Sequence, residues 1–267
     1  MTTATLRLAA LGLLATLATP AYADVPTHVD GPVFAALCAS VGKAADCPTC
    51  KCEAMTSTPS MGVTGEATEM LDGIVVEVRG DSSDGTKSVR EVHVFLGDAK
   101  SLVDGGIIAN LTAPKNEVRN SDWKVKATKQ VYDMCPGACD WDAVGHVHLF
   151  EGQQTWTEGP AADPGIEYDA RWLYACMEHD KKPTCWTIEL GMTTNEVTLV
   201  DGKLERGKKS SRTRTWKLGG KMGWQLVLGA YTGNGVRDFA NRSGREVGKK
   251  TLHFAELKTW ADANLIK

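Results

Sequence analysis

Apolar and polar residues alternate with a period of two along most of the chain from about residue 70 to residue 231. Side chains on a β-strand point to opposite faces in turn, so this period predicts half-buried strands. Turn-forming residues separate the alternating segments, and Asp201-Gly202 is the strongest short hairpin signal. The predicted strands are 73–79, 88–96, 123–133, 143–151, 167–177, 184–192, 196–200, 203–206, 212–218 and 224–231.

Strands that follow one another through short turns predict a mainly β fold. The expected architecture is an antiparallel hairpin meander that forms a barrel or a two-layer sandwich. No long helical pattern separates the strands, so a parallel βαβ unit is not expected. Apolar residues recur at helical spacing over 252–265, which predicts a C-terminal helix.

The beginning of the chain has the features of a secretory signal peptide. Arg7 is its only charge, an uncharged apolar run follows over 8–18, and Ala21-Tyr22-Ala23 has the small-x-small form of a cleavage site. The apolar run is too short to span a bilayer, and no later segment is long and apolar enough. We therefore expect a secreted or periplasmic protein with no transmembrane segment after signal removal.

The expected organisation is a signal peptide over 1–23, a Cys-rich N-terminal segment and linker over 24–65, and an antiparallel β domain with the terminal helix over 66–267. Apolar residues recur every four positions over 33–41, which predicts a short helix in the Cys-rich segment. A stretch rich in Thr, Ser, Pro and Gly over 56–65 reads as the linker.

The chain has eight Cys, and an even number in an exported protein predicts disulfides. Pairing within local groups is simplest, which joins Cys135 to Cys139 and Cys176 to Cys185. A Cys50–Cys52 bond would close a strained ring, so two pairings stay open in the first group. They are Cys38–Cys50 with Cys47–Cys52, or Cys38–Cys52 with Cys47–Cys50.

A disulfide between Cys176 and Cys185 sets the register of one hairpin. Trp172 then opposes Glu189, Leu173 opposes Ile188, Tyr174 opposes Thr187, and Ala175 opposes Trp186. One face of this hairpin is apolar and is assigned to the core: Leu173, Ala175, Trp186, Ile188 and Leu190. On the other face, Trp172 and Tyr174 are the candidate platform for a ligand that stacks on aromatic rings.

Composition and charge narrow the function classes. The chain is 42% hydrophobic and 24% charged, an ordinary globular balance. Its formal charge of −3 gives no electrostatic basis for a nucleic-acid partner. The basic residues Arg212 and Arg214 alternate with threonines, which predicts a solvated strand face.

His146 and His148 are the candidate metal ligands. Residues two apart on a strand share a face, so both imidazoles can reach one ion. This His-x-His pair resembles the beginning of a cupin-type metal site. Segments 92–97 and 147–152 form a weak repeat that aligns His93 with His148, which makes His93 the possible third ligand.

Together these features favour an exported, disulfide-stabilised β protein that binds a ligand, a glycan or a protein partner without catalysis, and no cofactor is predicted. One alternative is a metal-dependent, cupin-like enzyme that uses His146 and His148. Another is a structural component of the envelope or cell surface. Its oligomeric state is not predicted.

We expect the mature protein to hold no tightly bound divalent metal, because no third ligand follows His146 and His148 at the spacing that such a site needs. Elemental analysis of gently purified protein checks this expectation. Near-stoichiometric zinc, copper or iron that is lost in a His148→Ala variant would contradict it. His93 would then be the first residue to inspect.

Overall fold

A computed structural model describes residues 31–59, 72–97, 101–115, 122–132, 146–159, 165–179, 182–220, 225–243, 247–253 and 256–257. The helices in this part of the chain are α1 (Gly31–Ala44) and α2 (Val236–Ser243). The strands are β1 (Lys51–Pro59), β2 (Asp72–Asp81), β3 (Lys87–Gly97), β4 (Val103–Asn110), β5 (Ala113–Pro114), β6 (Asp122–Tyr132), β7 (His146–Glu158), β8 (Gly165–His179), β9 (Lys182–Val200), β10 (Lys203–Thr213), β11 (Trp216–Gly219), β12 (Gln225–Leu228) and β13 (Lys250–His253).

The strands form three sheets, and every pairing between the described strands is antiparallel. Sheet 1 has the order β1-β2-β3-β4, with β5 also paired to β3. Sheet 2 has the order β10-β9-β8-β7-β6, and sheet 3 has the order β11-β12-β13. The predicted antiparallel, mainly β fold is confirmed. The barrel alternative is wrong, because the described sheets do not close on themselves.

Sheet 2 is covered on both faces. On one face, Phe150 and Tyr174 join an apolar cluster with Val92 and Val94 of sheet 1. On the opposite face, Leu149, Leu173 and Ile188 join a second cluster with residues of sheet 3. The arrangement is therefore a stack of three sheets with sheet 2 in the middle, and not the predicted two-layer sandwich.

Helix α1 covers the other face of sheet 1. Its residues Phe34, Cys38 and Val41 are buried against Val76 and Phe95 in a third apolar cluster. The rings of Phe34 and Phe95 meet edge to face, with centroids 5.8 Å apart. The helix predicted over 33–41 is thus confirmed, and its apolar stripe faces the sheet.

Strand β1 comes from the Cys-rich segment 24–65 and forms an edge of sheet 1. It pairs with β2 from Lys51↔Arg79 to Pro59↔Asp72. The first residues of the predicted linker, 56–59, belong to this strand. The Cys-rich segment therefore shares a sheet with strands from the segment 66–267.

The hairpin of β8 and β9 has the register that the sequence predicts. Cys176 pairs with Cys185, and the pairing continues through Tyr174↔Thr187 to Trp172↔Glu189. The two cysteines form a disulfide, with Cα atoms 4.0 Å apart. The face assigned to the core is buried: Leu173, Ala175, Trp186, Ile188 and Leu190 all lie in the cluster against sheet 3.

Two predictions require correction. The helix predicted over 252–265 does not begin at residue 252, because 250–253 form β13 on the edge of sheet 3. Arg212 and Arg214 do not form a solvated face: Arg214 is only 5% exposed, and Arg212 is paired with buried Glu189.

Of the described helices, neither is long and apolar enough to cross a membrane. The predicted signal peptide over 1–23 lies outside the described residues, as do Cys135 and Cys139.

Truncation of Leu173 should destabilise the fold strongly. Its side chain is fully buried between sheets 2 and 3, so Leu173→Ala is expected to lower the free energy of unfolding by about 2–5 kcal/mol. Leu204 is 46% exposed, and Leu204→Ala as a matched control should change it by less than about 0.5 kcal/mol. Urea unfolding followed by circular dichroism measures both. Equal effects of the two substitutions would contradict this assignment of the core.

Candidate functional site

The structure places the candidate metal ligands on different sheets. His148 lies on β7 with its side chain buried, on the same face as Phe150, which packs against sheet 1. His93 lies on β3, on the face opposite Val92 and Val94, and so points away from sheet 2. His93 and His148 therefore do not converge.

The side chain of His146 is outside the described part of the structure, although its backbone belongs to β7. Among the described residues, no three His, Cys, Asp or Glu side chains are placed to hold one metal ion. The cupin-like arrangement is thus not assembled from the side chains that the structure describes.

His93 instead bridges two carboxylates. Its Nδ1 lies 3.1 Å from Asp104 on β4, and its Nε2 lies 3.2 Å from Glu91 on β3. Asn110 donates to the second oxygen of Glu91 at 3.2 Å. Burial alone would lower the pKa of His93, but the hydrogen bonds and charges of Asp104 and Glu91 outweigh it and raise this pKa above its ordinary value. The group is built to hold an imidazolium between two carboxylates.

Trp172 and Tyr174 lie in the core between sheets 1 and 2. Tyr174 is only 1% exposed and belongs to the apolar cluster there, and Trp172 packs partly buried against the same cluster. Tyr174 consequently offers no surface on which a ligand can stack.

Sheet 2 continues beyond the residues that pack against the other two sheets. We call this part the sheet 2 extension: residues 153–158, 165–171, 191–200 and 203–211. None of these residues belongs to an apolar cluster, and most are exposed or half-buried. The same strands thus run from a buried core to a surface, which is how rigid scaffolds commonly support binding sites.

A stacked pair of rings lies on this extension. Trp156 on β7 pairs directly with Tyr168 on β8, and their rings are parallel within 4° with centroids 4.7 Å apart. Both residues are half-buried. Since Trp156 follows Phe150 by an even number of residues, the pair lies on the face of sheet 2 that looks toward sheet 1.

Glu158 ties the polar ends of both rings. Trp156 Nε1–H donates to its carboxylate at 3.1 Å, and the Tyr168 hydroxyl also hydrogen-bonds to it. Burial, followed by the charge and hydrogen bond of Glu158, raises the pKa of Tyr168 above its ordinary value. The phenol therefore stays protonated, and the two rings are held in one orientation while Glu158 remains exposed.

An ion pair stiffens the opposite face of the extension. Arg206 on β10 donates two hydrogen bonds to Glu167 on β8, at 2.7 and 2.8 Å, and Asn195 on β9 donates a third at 3.1 Å. The hydrogen bond from Arg206 is the main cause that lowers the pKa of Glu167. These contacts cross three neighbouring strands.

A buried ion pair lies where the apolar core of sheet 2 ends and the sheet 2 extension begins. Arg212 donates to Glu189 at 2.5 and 2.9 Å, and its guanidinium lies 4.1 Å from the ring centre of Phe239. The Tyr231 hydroxyl donates to the backbone oxygen of Glu189 at 2.7 Å. The segment that contains α2 is thereby fastened to sheet 2, which adds to the rigidity of the strands that continue into the extension.

The stacked pair was not among the residues selected from the sequence, although a signal for it exists. A turn-rich stretch with two Pro and two Gly lies between two alternating segments, over 159–165. A hairpin centred on residue 162 places Trp156 opposite Tyr168. The hairpin principle that located Cys176 and Cys185 applies equally to this pair.

Comparisons with known proteins do not indicate a function for this surface. No family model matches the chain, and neither the curated proteins nor the solved structures contain a match.

His93 should make the stability of the protein depend on pH. Because its pKa is raised in the folded state, its stabilising contribution is complete below about pH 6.5 and is lost as the pH rises through the folded-state pKa. At pH 5.5, His93→Gln is expected to lower the free energy of unfolding by about 2 kcal/mol, and the difference should shrink by pH 9.

Urea unfolding of both proteins between pH 5.5 and pH 9 measures this dependence. His253→Gln is the matched control, because His253 is exposed. A His93→Gln effect that grows as the pH rises would refute the imidazolium bridge.

Proposed function

We propose that the chain is a secreted or periplasmic binding protein without catalytic activity and that it takes a glycan on the sheet 2 extension. The observation that carries this proposal is the stacked pair of Trp156 and Tyr168. Half-buried aromatic side chains with a fixed orientation supply a large contact area, and little conformational entropy is lost when a ligand binds them.

The chemistry around the pair suits a sugar ring. Glu158 engages the indole N–H and the phenol O–H, so the parts of both rings left to a ligand are apolar and fit the C–H groups of a sugar. Gln154 precedes Trp156 by two residues on β7, and Thr194 pairs with Tyr168 across β8 and β9, so both share this face. Their polar groups are suited to sugar hydroxyls, and the exposed Glu158 carboxylate favours neutral or amino sugars over acidic ones.

The charge balance and the disulfides are consistent with the same proposal. A formal charge of −3 gives no general attraction to nucleic acids, and the Cys176–Cys185 bond suits an oxidising compartment. A protein partner on the same aromatic surface is the runner-up, because Trp and Tyr also dominate protein interfaces.

Removal of the aromatic pair should abolish glycan binding while the fold remains. Protein that begins after the predicted signal peptide, at residue 24, is applied to an array of immobilised neutral and amino oligosaccharides, and affinity for any bound glycan is then measured by calorimetry. Trp156→Ala and Tyr168→Ala are each expected to weaken that affinity at least about tenfold, the equivalent of about 1.4 kcal/mol.

Leu204→Ala is the matched control, since Leu204 is an exposed apolar residue on the same face of β10 as Arg206, opposite to the stacked pair, and its removal should leave the affinity unchanged. Circular dichroism confirms that each variant is folded. Glycan binding that survives in the Trp156→Ala/Tyr168→Ala double variant would refute the site. An array with no bound glycan would refute the ligand class and favour the protein partner.

A further inference from the structure

Cys38 and Cys52 are two buried thiols in contact. Cys38 lies on α1 and is 6% exposed, and Cys52 lies on β1 and is 4% exposed. Their thiols share a hydrogen bond, and both belong to the apolar cluster between α1 and sheet 1. A sulfur–sulfur bond between them would link the helix to the strand.

Cys47 and Cys50 pair with each other, which leaves Cys52 as the partner for Cys38. Cys47 and Cys50 form a disulfide with Cα atoms 5.3 Å apart. That disulfide packs closely on the backbone of β2, because a Cβ at Gly80 would lie 2.7 Å from the Cys47 Sγ and 2.8 Å from the Cys50 Sγ. Of the two pairings compatible with the sequence, this one joins Cys38 to Cys52.

The face of α1 that carries Cys38 also lies close to the Cys47–Cys50 disulfide. Gly42 lies one helical turn after Cys38 on the same face, and a Cβ there would lie 3.0 Å from the Cys47 backbone oxygen. Cys52 follows Cys50 by two residues at the beginning of β1. The Cys47–Cys50 disulfide lies in the connection between α1 and β1, and the Cys38 and Cys52 thiols meet where the helix packs on the strand.

We propose that Cys38 and Cys52 are a modification site that closes to a second disulfide and staples α1 to the edge strand of sheet 1. The oxidant is a small disulfide such as glutathione disulfide. The two thiols lose two protons and two electrons, and a bond forms between their Sγ atoms. One cysteine thiolate first attacks the oxidant, breaks its sulfur–sulfur bond and forms a mixed disulfide with release of one thiol; the second cysteine then attacks the mixed disulfide and releases the other thiol.

Closure should be slow in the folded protein. The attacking species is a thiolate, and the hydrogen bond with Cys52 together with burial raises the pKa of Cys38. The oxidant must also reach sulfurs that lie beneath α1. The reaction is therefore expected to accelerate when the pH is raised and when a low urea concentration loosens the helix.

Digestion with trypsin places the four cysteines in three peptides, so the peptides that remain linked identify the pairing. Cleavage after Lys43, Lys51 and Arg79 puts Cys38 in one peptide, Cys47 with Cys50 in a second, and Cys52 in a third. The full chain is incubated with glutathione disulfide, denatured, alkylated and digested without reduction. Mass spectrometry is expected to find the first and third peptides linked, with peptide 44–51 carrying only its internal bond.

Two results would overturn the proposal. One is peptide 44–51 linked to both of the others, which is the alternative pairing. The other is Cys38 and Cys52 alkylated after prolonged oxidation at high pH in low urea.

Thermal unfolding gives an independent readout. Oxidation should raise Tm by roughly 6–12 °C for a staple that closes a loop of this length. The gain should persist in a Cys47→Ala/Cys50→Ala variant and disappear in a Cys38→Ala/Cys52→Ala variant. An equal gain in the second variant would show that the stabilisation comes from elsewhere and would count against the staple.

Discussion

The burial of both faces of β8 is the constraint on which the rest of the structure depends. Leu173 and Ala175 face sheet 3, while Tyr174 and Cys176 face sheet 1, and all four are at most 1% exposed. A fully buried leucine side chain such as that of Leu173 contributes on the order of 2 kcal/mol. Since sheets 1 and 3 both pack on sheet 2, its middle strands join the two halves of the molecule into one stack.

Outside these clusters the same strands are held by directional contacts. The stacked rings of Trp156 and Tyr168 lie on one face of the extension, and the Glu167–Arg206 ion pair lies on the other. Exposed ion pairs contribute little to stability, so the extension is stable chiefly because it continues strands that are anchored in the core. This division leaves a rigid surface with polar and aromatic groups, as a binding site requires.

Buried carboxylates are paired throughout the described structure, and the pairs mark the places where layers meet. Glu77, only 4% exposed, accepts hydrogen bonds from Arg79 on its own strand β2 and from Arg90 on the neighbouring strand β3. Glu189 is paired with Arg212 across two strands. Burial of an unpaired charge would be far more costly than burial of an apolar group. Each of these buried carboxylates is accordingly stabilised by a cationic side chain.

The sequence by itself determined β2, β3 and the strands of sheet 2, their antiparallel pairing and the register around Cys176 and Cys185, whereas β1, β4, β5 and β13 were not among the predicted strands. These features depend on contacts between residues a few positions from one turn, where alternation and turn chemistry leave one solution. Only the tertiary structure decided that Tyr174 is buried, that β1 joins sheet 1, that Arg212 pairs with Glu189, and that His93 and His148 lie on different sheets. Those outcomes depend on which layer covers which face, and period-two alternation is the same whether a face is covered by another sheet, by a helix or by water.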